Sequence, residues 1–187
     1  QLGLLLVGGV MVTARIITEA HKDDIRLRNR PFKLFGLLLP SYNNGKWDHT
    51  ELLFPAENVT EMCFPDEEYD FAQMSETSVF VGAYDGDRCV GLAVLQQAFF
   101  RYMYLYDLKV DPDCRGQGVG KLLVESAKKE AVRQGYRGLY TQGQDNNLGA
   151  CRFYLKTGFE IGGLDTRVYG GTAQEHKKDI LFYCDAV

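Results

Sequence analysis

From Ser78 to Phe99 the chain reads SVFVGAYDGDRCVGLAVLQQAF, two runs rich in apolar and branched residues around Asp85-Gly86-Asp87. Runs of that kind on either side of an Asp-Gly pair predict a β-hairpin. RYMYLYDLKV, from Arg101, is rich in aromatic and branched residues and predicts a third strand. Three such strands in succession predict an antiparallel meander. The period then changes. Val119, Leu122, Leu123, Ser126, Ala127, Glu130 and Ala131 recur at helical spacing and are mostly apolar, and Gly135 stops the run. GLYTQG, from Gly138, predicts the next strand, and a strand–helix–strand crossover makes its two strands parallel. Leu148–Lys156 predicts a second helix closed by Gly158, with strands at Phe159–Gly162 and Ile180–Cys184. Upstream, TARIITEA from Thr13 predicts a strand running into a helix, Phe32–Pro40 a helix then a turn, and Asp66–Met74 a short helix. The expected fold class is α/β of a mixed kind: one sheet with parallel and antiparallel pairs and helices on its faces.

A length of 187 residues favours one domain. The first ten residues, QLGLLLVGGV, are apolar but too short to span a bilayer and lack a basic leader region. They read as an upstream remnant before Met11, with a single domain from 11 to 187. The net charge of −4 gives no reason to expect nucleic acid or a membrane surface as partner. Charge is uneven along the chain, however. Trp47 to Asp87 holds no Lys or Arg but includes Asp48, Glu51, Glu57, Glu61, Asp66, Glu67, Glu68, Asp70 and Glu76. Arg115, Lys121, Lys128, Lys129, Arg133 and Arg137 follow in the next stretch. Either one segment faces a cation and the other an anion, or both are solvated faces. Five cysteines without a CxxC spacing read as reduced thiols in a cytoplasmic protein, and three scattered histidines suggest no metal site.

The chemistry concentrates at CRGQGVGKLLVESAKKEA, residues 114–131. Glycine in a regular element costs roughly 0.5–1 kcal/mol against alanine, so three in RGQGVG need a reason. A helix N-terminus offers unpaired N–H groups and about half a positive charge, which suits phosphate if side chains leave the backbone bare. Gly116, Gly118 and Gly120 clear that approach, and Arg115 adds a fixed cation. A Walker A loop would need Ser or Thr after Gly120-Lys121, where Leu122 stands. A dinucleotide fingerprint needs GxGxxG in the first turn of a parallel unit, whereas the spacing here is GxGxG after three antiparallel strands. A diphosphate cradle is the expectation, and a tight turn without ligand the alternative.

RGQGVG resembles the R/Q-x-x-G-x-G/A motif of the GNAT N-acetyltransferases, and NNLGACRFYLKTGF, from Asn146, resembles their N-x-x-A-x-x-x-Y-x-x-x-G-F pattern. The resemblance implies a GNAT fold, a twisted sheet of about six to seven strands splayed between the fourth and fifth. It implies acetyl-coenzyme A as co-substrate and no metal. The diphosphate would sit on Arg115, Gly116, Gln117, Gly118, Val119, Gly120 and Lys121. The pantetheine arm would pair like an added strand with Leu108, Lys109 and Val110, as an extended amide chain does at a free edge. Asn147 either positions the cofactor beside Ala150 or caps its helix. Tyr154 is the candidate general acid for the departing thiolate, with core packing as its alternative. An ammonium acceptor must lose a proton before attack, and Asp107 is the first candidate base, with Glu51 second. Many relatives carry a glutamate on the strand that here holds Gln142, which cannot take a proton.

PFKLFGLLLPSYNNGKWDHTELLF (31–54) and TQGQDNNLGACRFYLKTGFEIGGLDTRVY (141–169) are similar to the streptothricin acetyltransferases. That resemblance implies a cationic small-molecule acceptor acetylated on its β-lysine moiety. The acidic stretch then orients a polycation. Glu67, Glu68 and Asp70 would form its rim, Trp47 and Tyr69 an aromatic face, and Tyr169 a further part of the acceptor site. A polyamine acceptor, or a non-catalytic acyl-coenzyme A sensor, is the alternative. Relatives are often dimeric, which makes a homodimer an expectation.

Overall fold

The computed structural model describes residues 1–98 and 100–186; Phe99, last in the segment read as a hairpin, and Val187 lie outside the described residues. In chain order the strands and helices are β1 (Gly3–Val7), β2 (Val10–Ile16), β3 (Phe32–Leu34), β4 (Gly36–Asn43), β5 (Lys46–Leu53), β6 (Thr60–Met62), α1 (Phe71–Met74), β7 (Ser78–Asp85), β8 (Arg88–Gln96), β9 (Tyr102–Val110), α2 (Val119–Arg133), β10 (Gly138–Gln144), α3 (Leu148–Lys156), β11 (Glu160–Asp165) and β12 (Asp179–Asp185). This is a mixed α/β fold whose sheet is mostly antiparallel and flanked by helices. The chain groups into two units, one of Gln1–Arg30, Phe64–Leu139 and the last residues from Asp185, the other of Pro31–Cys63 and Tyr140–Cys184.

In the first unit β1, β2, β7, β8 and β9 pair antiparallel in that order. The first ten residues thus supply an edge strand and the turn into β2. The expected meander is β7–β8–β9, with Gly86-Asp87 as the two-residue loop of its first hairpin. One face of this sheet carries α2, whose Val119 and Leu123 lie over Gly91. The other face packs Phe80, Tyr84, Leu92 and Val94 against Ile17, Ile25 and Tyr69. The 3-10 turn Glu19–Arg26 stands where a helix was expected, and Ile25 is its buried residue. The Tyr84 hydroxyl donates to Asp24 Oδ2 (2.7 Å), so the polar tip of a buried ring is satisfied.

The register of β9 against β8 breaks once. Val94 pairs with Asp107 and Leu95 with Leu105, so Tyr106 is an extra residue on β9. A one-residue bulge reverses the alternation of side chains beyond it. Leu105 stays on the α2 side with Leu95, while Asp107 and Lys109, opposite Val94 and Leu92, turn to the Tyr69 side.

In the second unit β4 and β5 form a hairpin with Tyr42 opposite Trp47, and β3 pairs with β6. The helix expected over 32–40 is therefore replaced by two strands. The signal overlooked was Asn44-Gly45: both residues have positive φ (51° and 78°), as a two-residue hairpin turn of the primed kind requires. Pairing with β5 then fixes residues whose own periodicity is weak. Gly36 permits it, because a Cβ there would fall 2.5 Å from the Leu52 carbonyl oxygen. α3 packs against β3 and β4, with Leu148 fully buried, and β11 pairs antiparallel with β12. All five cysteines are free thiols, and among the described residues no helix is long and apolar enough to cross a membrane.

Deleting Tyr106 removes the bulge but leaves Asp107 opposite Val94 and Lys109 opposite Leu92, so both charges should keep facing Tyr69. The expected loss is modest, about 1 kcal/mol, because no buried charge loses its partner. Tyr106→Ala, at an exposed position, keeps the bulge and should cost about as much or less. Chemical denaturation of both variants checks this; a loss of about 3 kcal/mol or more in the deletion alone, the cost of breaking a buried pair, would show that the orientation of these charges depends on the extra residue.

Candidate active site

The loop between β9 and α2 is pinned before it reaches the helix. Asp111 accepts a bond from the Asp113 N–H (3.3 Å) and is paired with Arg88 (2.8 Å). Arg115 Nε donates to the Val110 carbonyl (3.1 Å), and Gln117 Nε2 to the Asp113 carbonyl (2.8 Å). Gly116 and Gly118 then adopt φ of 72° and 93°, conformations that L side chains disfavour. A Cβ on Gly116 would meet nothing within 4 Å, and one on Gly118 would come 3.3 Å from Leu5 Cδ2. Gly118 is the N-cap of α2 and no side chain caps the first turn. The fifteen-residue helix thus presents bare amides and its positive end at a glycine-lined surface. Arg115, Gln117 and Lys121 are exposed around it, whereas the Val119 side chain is buried, so only its backbone faces outward. These residues fit a diphosphate: the donors are backbone groups and the flanking charges are positive.

Leu108, Lys109 and Val110 continue β9 up to this loop. Lys109 Nζ lies 2.7 Å from Glu67 Oε2 and 3.1 Å from Asp107 Oδ2, and its side chain is 9% exposed. The Tyr69 hydroxyl donates to the same Asp107 oxygen (2.9 Å). Glu67 Oε2 also accepts from Asn29 Nδ2 (3.0 Å). Burial raises the Asp107 pKa above the usual carboxylate range and the Glu67 charge adds to it, against the opposing pull of Lys109 and Tyr69. Burial also resists ionisation of Glu67, but the bonds from Lys109 and Asn29 outweigh it and hold its pKa low. Burial and the neighbouring Asp107 raise the pKa of Tyr69, which keeps its proton and stays a donor.

These contacts change three expectations. Tyr69 is 7% exposed and cannot offer an aromatic face to solvent; Lys109 Nζ already stands 5.6 Å from its ring centre. Glu67 is the partner of Lys109 before it is part of any rim. Asp70 caps α1 by accepting from the Gln73 N–H (2.9 Å), while Glu68 is exposed. The sequence singled out Asp107 but gave no sign that Tyr69 and Lys109 meet on it, because Tyr69 lies 38 residues away.

In the second unit Tyr154 sits on α3, half-buried, with its ring against Phe153, Phe159 and Phe182 at centroid distances of 5.7, 5.4 and 5.3 Å. Three aromatic neighbours fix the ring and so fix where its hydroxyl points. Asn147 is the N-cap of α3 and accepts from the Ala150 N–H (3.2 Å), which realises the capping alternative. Glu51 is bound by two nitrogens of the Arg152 guanidinium (2.8 and 2.5 Å), which engages both its oxygens and holds its pKa low. That makes it a poor second choice of base. Trp47 lies half-buried near the hairpin tip against Tyr42, centroids 4.9 Å apart. The Tyr169 hydroxyl donates to Asp179 (2.8 Å) and accepts from Gln144 (2.9 Å). Burial, against the bond from Gln144 and with the help of Asp179, pushes its pKa up to about 12.

A family profile described as acetyltransferase (GNAT) family matches residues 46–159. Streptothricin acetyltransferase A of Bacillus subtilis (strain 168) is 29% identical to the chain over 167 residues, 89% of the chain and 96% of that protein. Streptothricin acetyltransferase of Streptomyces lavendulae is 37% identical over 101 residues, 54% of the chain and 53% of that protein. A crystal structure from Bacillus anthracis str. Ames, described as a streptothricin acetyltransferase in complex with acetyl coenzyme A, superposes with a TM-score of 0.81 at 27% identity. It covers 93% of the chain and is itself covered to 98%. The profile spans well over half the chain and takes in the glycine cradle, β9 and Tyr154, so the chain belongs to the acetyltransferase (GNAT) family.

Proposed function

We propose that this chain moves the acetyl group of acetyl-coenzyme A to an amine of a cationic small molecule, the β-lysine moiety of streptothricin, in the cytoplasm. The observation that carries the coenzyme half is the cradle: Gly116 and Gly118 at positive φ before an uncapped helix. The acceptor half is supported by likeness to a streptothricin acetyltransferase along nearly the whole of both chains. Acetyl-coenzyme A, when bound, supplies the acetyl group as a thioester. The backbone of Arg115 to Gly120 would hold its diphosphate, with Lys121 adding charge, and Leu108–Val110 would offer backbone partners to its amides. The Asn147 cap, accepting from the Ala150 N–H, fixes the start of α3, where the coenzyme would lie beside both residues.

Two proton movements then fall to this chain. Asp107 would take a proton from the acceptor ammonium, since only the free amine has the lone pair for attack. The Tyr154 hydroxyl would give one to the departing sulfur. The exposed Glu68, with the other carboxylates of the acidic segment, would draw in a polycation through long-range attraction rather than tight pairing. Trp47 with Tyr42, and Tyr169, would supply aromatic surface to the acceptor.

Gly118→Asp should weaken coenzyme binding at least tenfold, because it sets an anion and a side chain in the cradle. Calorimetry with acetyl-coenzyme A measures this, and an unchanged Kd would remove the cradle. Tyr154→Phe should lower kcat roughly tenfold or more with little change in KM, the pattern of a group used only in the transition state. Turnover within about twofold of the parent would leave Tyr154 a packing residue. Thiol release from acetyl-coenzyme A, followed side by side with streptothricin, spermidine, an aminoglycoside and a free-amine peptide, tests the acceptor. A large preference for streptothricin is expected. Preference for another amine would retain the coenzyme and overturn the acceptor, and silence on all four with coenzyme bound would favour an acyl-coenzyme A sensor.

A further inference from the structure

Five side chains are linked, Asp107 and Lys109 on one face of β9, Glu67 and Tyr69 on the segment before α1, and Asn29: Asn29 bonds to Glu67, Glu67 to Lys109, and Lys109 to Asp107, which also receives the Tyr69 hydroxyl. Both contacts to Asp107 fall on Oδ2. A carboxylate held by one oxygen is fixed in orientation and still has the lone pairs of the other oxygen to use. The Tyr69 ring belongs to the apolar cluster that holds Leu92, Val94 and Phe80.

We propose that Tyr69, Lys109 and Glu67 are positioning residues for Asp107: Tyr69 and Lys109 fix Oδ2, Glu67 restrains Lys109, and Oδ1 is the atom that accepts the proton. This rests on Asp107 being the base. The step is balanced within the pair of reactants. An N–H bond of the acceptor ammonium breaks, an O–H bond forms on Oδ1, and the bonding electrons stay on nitrogen as the attacking lone pair. The proton later passes from Asp107 to water.

The groups around Asp107 push in opposite directions. Lys109 on the same strand and the Tyr69 hydroxyl favour its anion, while burial and the Glu67 charge disfavour it. Tyr106 lies beside Tyr69, with ring centroids 6.4 Å apart. Arg26, from the 3-10 turn, reaches this segment by donating to the Tyr69 carbonyl (3.2 Å), and Asp24 of the same turn is held by Tyr84. Removing the Tyr69 hydroxyl takes away a bond to the charged form, so the Asp107 pKa should rise. Removing the Glu67 charge takes away a repulsion and frees Lys109 for Asp107, so it should fall. Packing alone predicts no such opposition.

The test uses the full chain and four forms: parent, Tyr69→Phe, Glu67→Gln and Asp107→Asn. Two readouts are taken, the 13C carboxyl titration of Asp107 by NMR and the acid limb of kcat/KM with the best acceptor of the panel above. Tyr69→Phe should move both to higher pH and Glu67→Gln both to lower pH, each by about one pH unit, the scale of one bond to a charged group. Tyr69→Phe should also lower kcat more than it raises KM. Should Tyr69→Phe not fold, as a melting curve would show, Glu67→Gln at its half-exposed site carries the test alone. An Asp107 titration that does not move, or moves the same way in both variants, overturns the positioning roles. Asp107→Asn should remove the acid limb and lower turnover roughly a hundredfold or more. A limb that survives in Asp107→Asn overturns the base assignment instead, and the NMR titrations still report on the network.

Discussion

The one-residue bulge at Tyr106 decides what β9 can do. Were Tyr106 paired in register and not bulged, Leu105, Asp107 and Lys109 would share a face under α2, where Val119 and Leu123 lie over Gly91. With it, two ionisable groups turn to the side where Tyr69 and Glu67 wait. Taking an ion from water into an apolar interior costs several kcal/mol even after relaxation, and a pair offsets this only when its remaining bonds are also made. Here they are made: Lys109 meets two carboxylates, and Asp107 receives both an ammonium and a hydroxyl. The bulge and the network therefore depend on each other. The bulge is tolerable because the partners exist, and the partners are reached because the bulge exists.

The acidic stretch looks different once its partners are known. Asp66 accepts from the Asn29 N–H, Glu67 holds Lys109, Asp70 caps a helix and Glu51 grips Arg152. A run of carboxylates that reads as one field along the chain is in fact several local devices with a smaller exposed remainder. Coulomb attraction to a polycation would come from that remainder. It is screened over about 10 Å at ordinary ionic strength, so it acts on encounter more than on the bound state. On the proposed reading, discrimination among amines would then come from side chains held in place, such as Trp47 against Tyr42 or Tyr169 between Gln144 and Asp179.

What the sequence made legible was local. The Asp85-Gly86-Asp87 turn, the helical period from Val119 and the helix Leu148–Lys156 each depend on neighbours within a few residues, and each stands within a residue or two of its expected bounds. The cradle was legible for the same reason, since its chemistry is backbone chemistry and glycine spacing displays it directly. The segment 32–40 was misread because its apolar residues are organised by pairing with β5, and the turn that enforces the pairing lies beyond the segment at Asn44-Gly45. Tyr69 was misread as surface, although it is buried, because its hydroxyl has a partner 38 residues away. Glu51 was offered as a base when Arg152, 101 residues on, had already claimed it. Side-chain roles fail to show in sequence when the deciding partner is distant, and a bulge of one residue leaves no mark on hydropathy at all.

The same distinction explains how the proposed site divides its tasks. The coenzyme would be held by groups every residue carries, so the cradle asks only for small side chains and a helix behind it. Proton transfer asks for a carboxylate whose affinity for a proton lies between that of a surface acid and that of a buried one. No single residue type supplies that. It arises where burial and the Glu67 charge pull one way and Lys109 with Tyr69 pull the other. A balance of that kind is sensitive to every member, so on the proposed reading the bulged strand, the buried lysine and the buried tyrosine belong to one device.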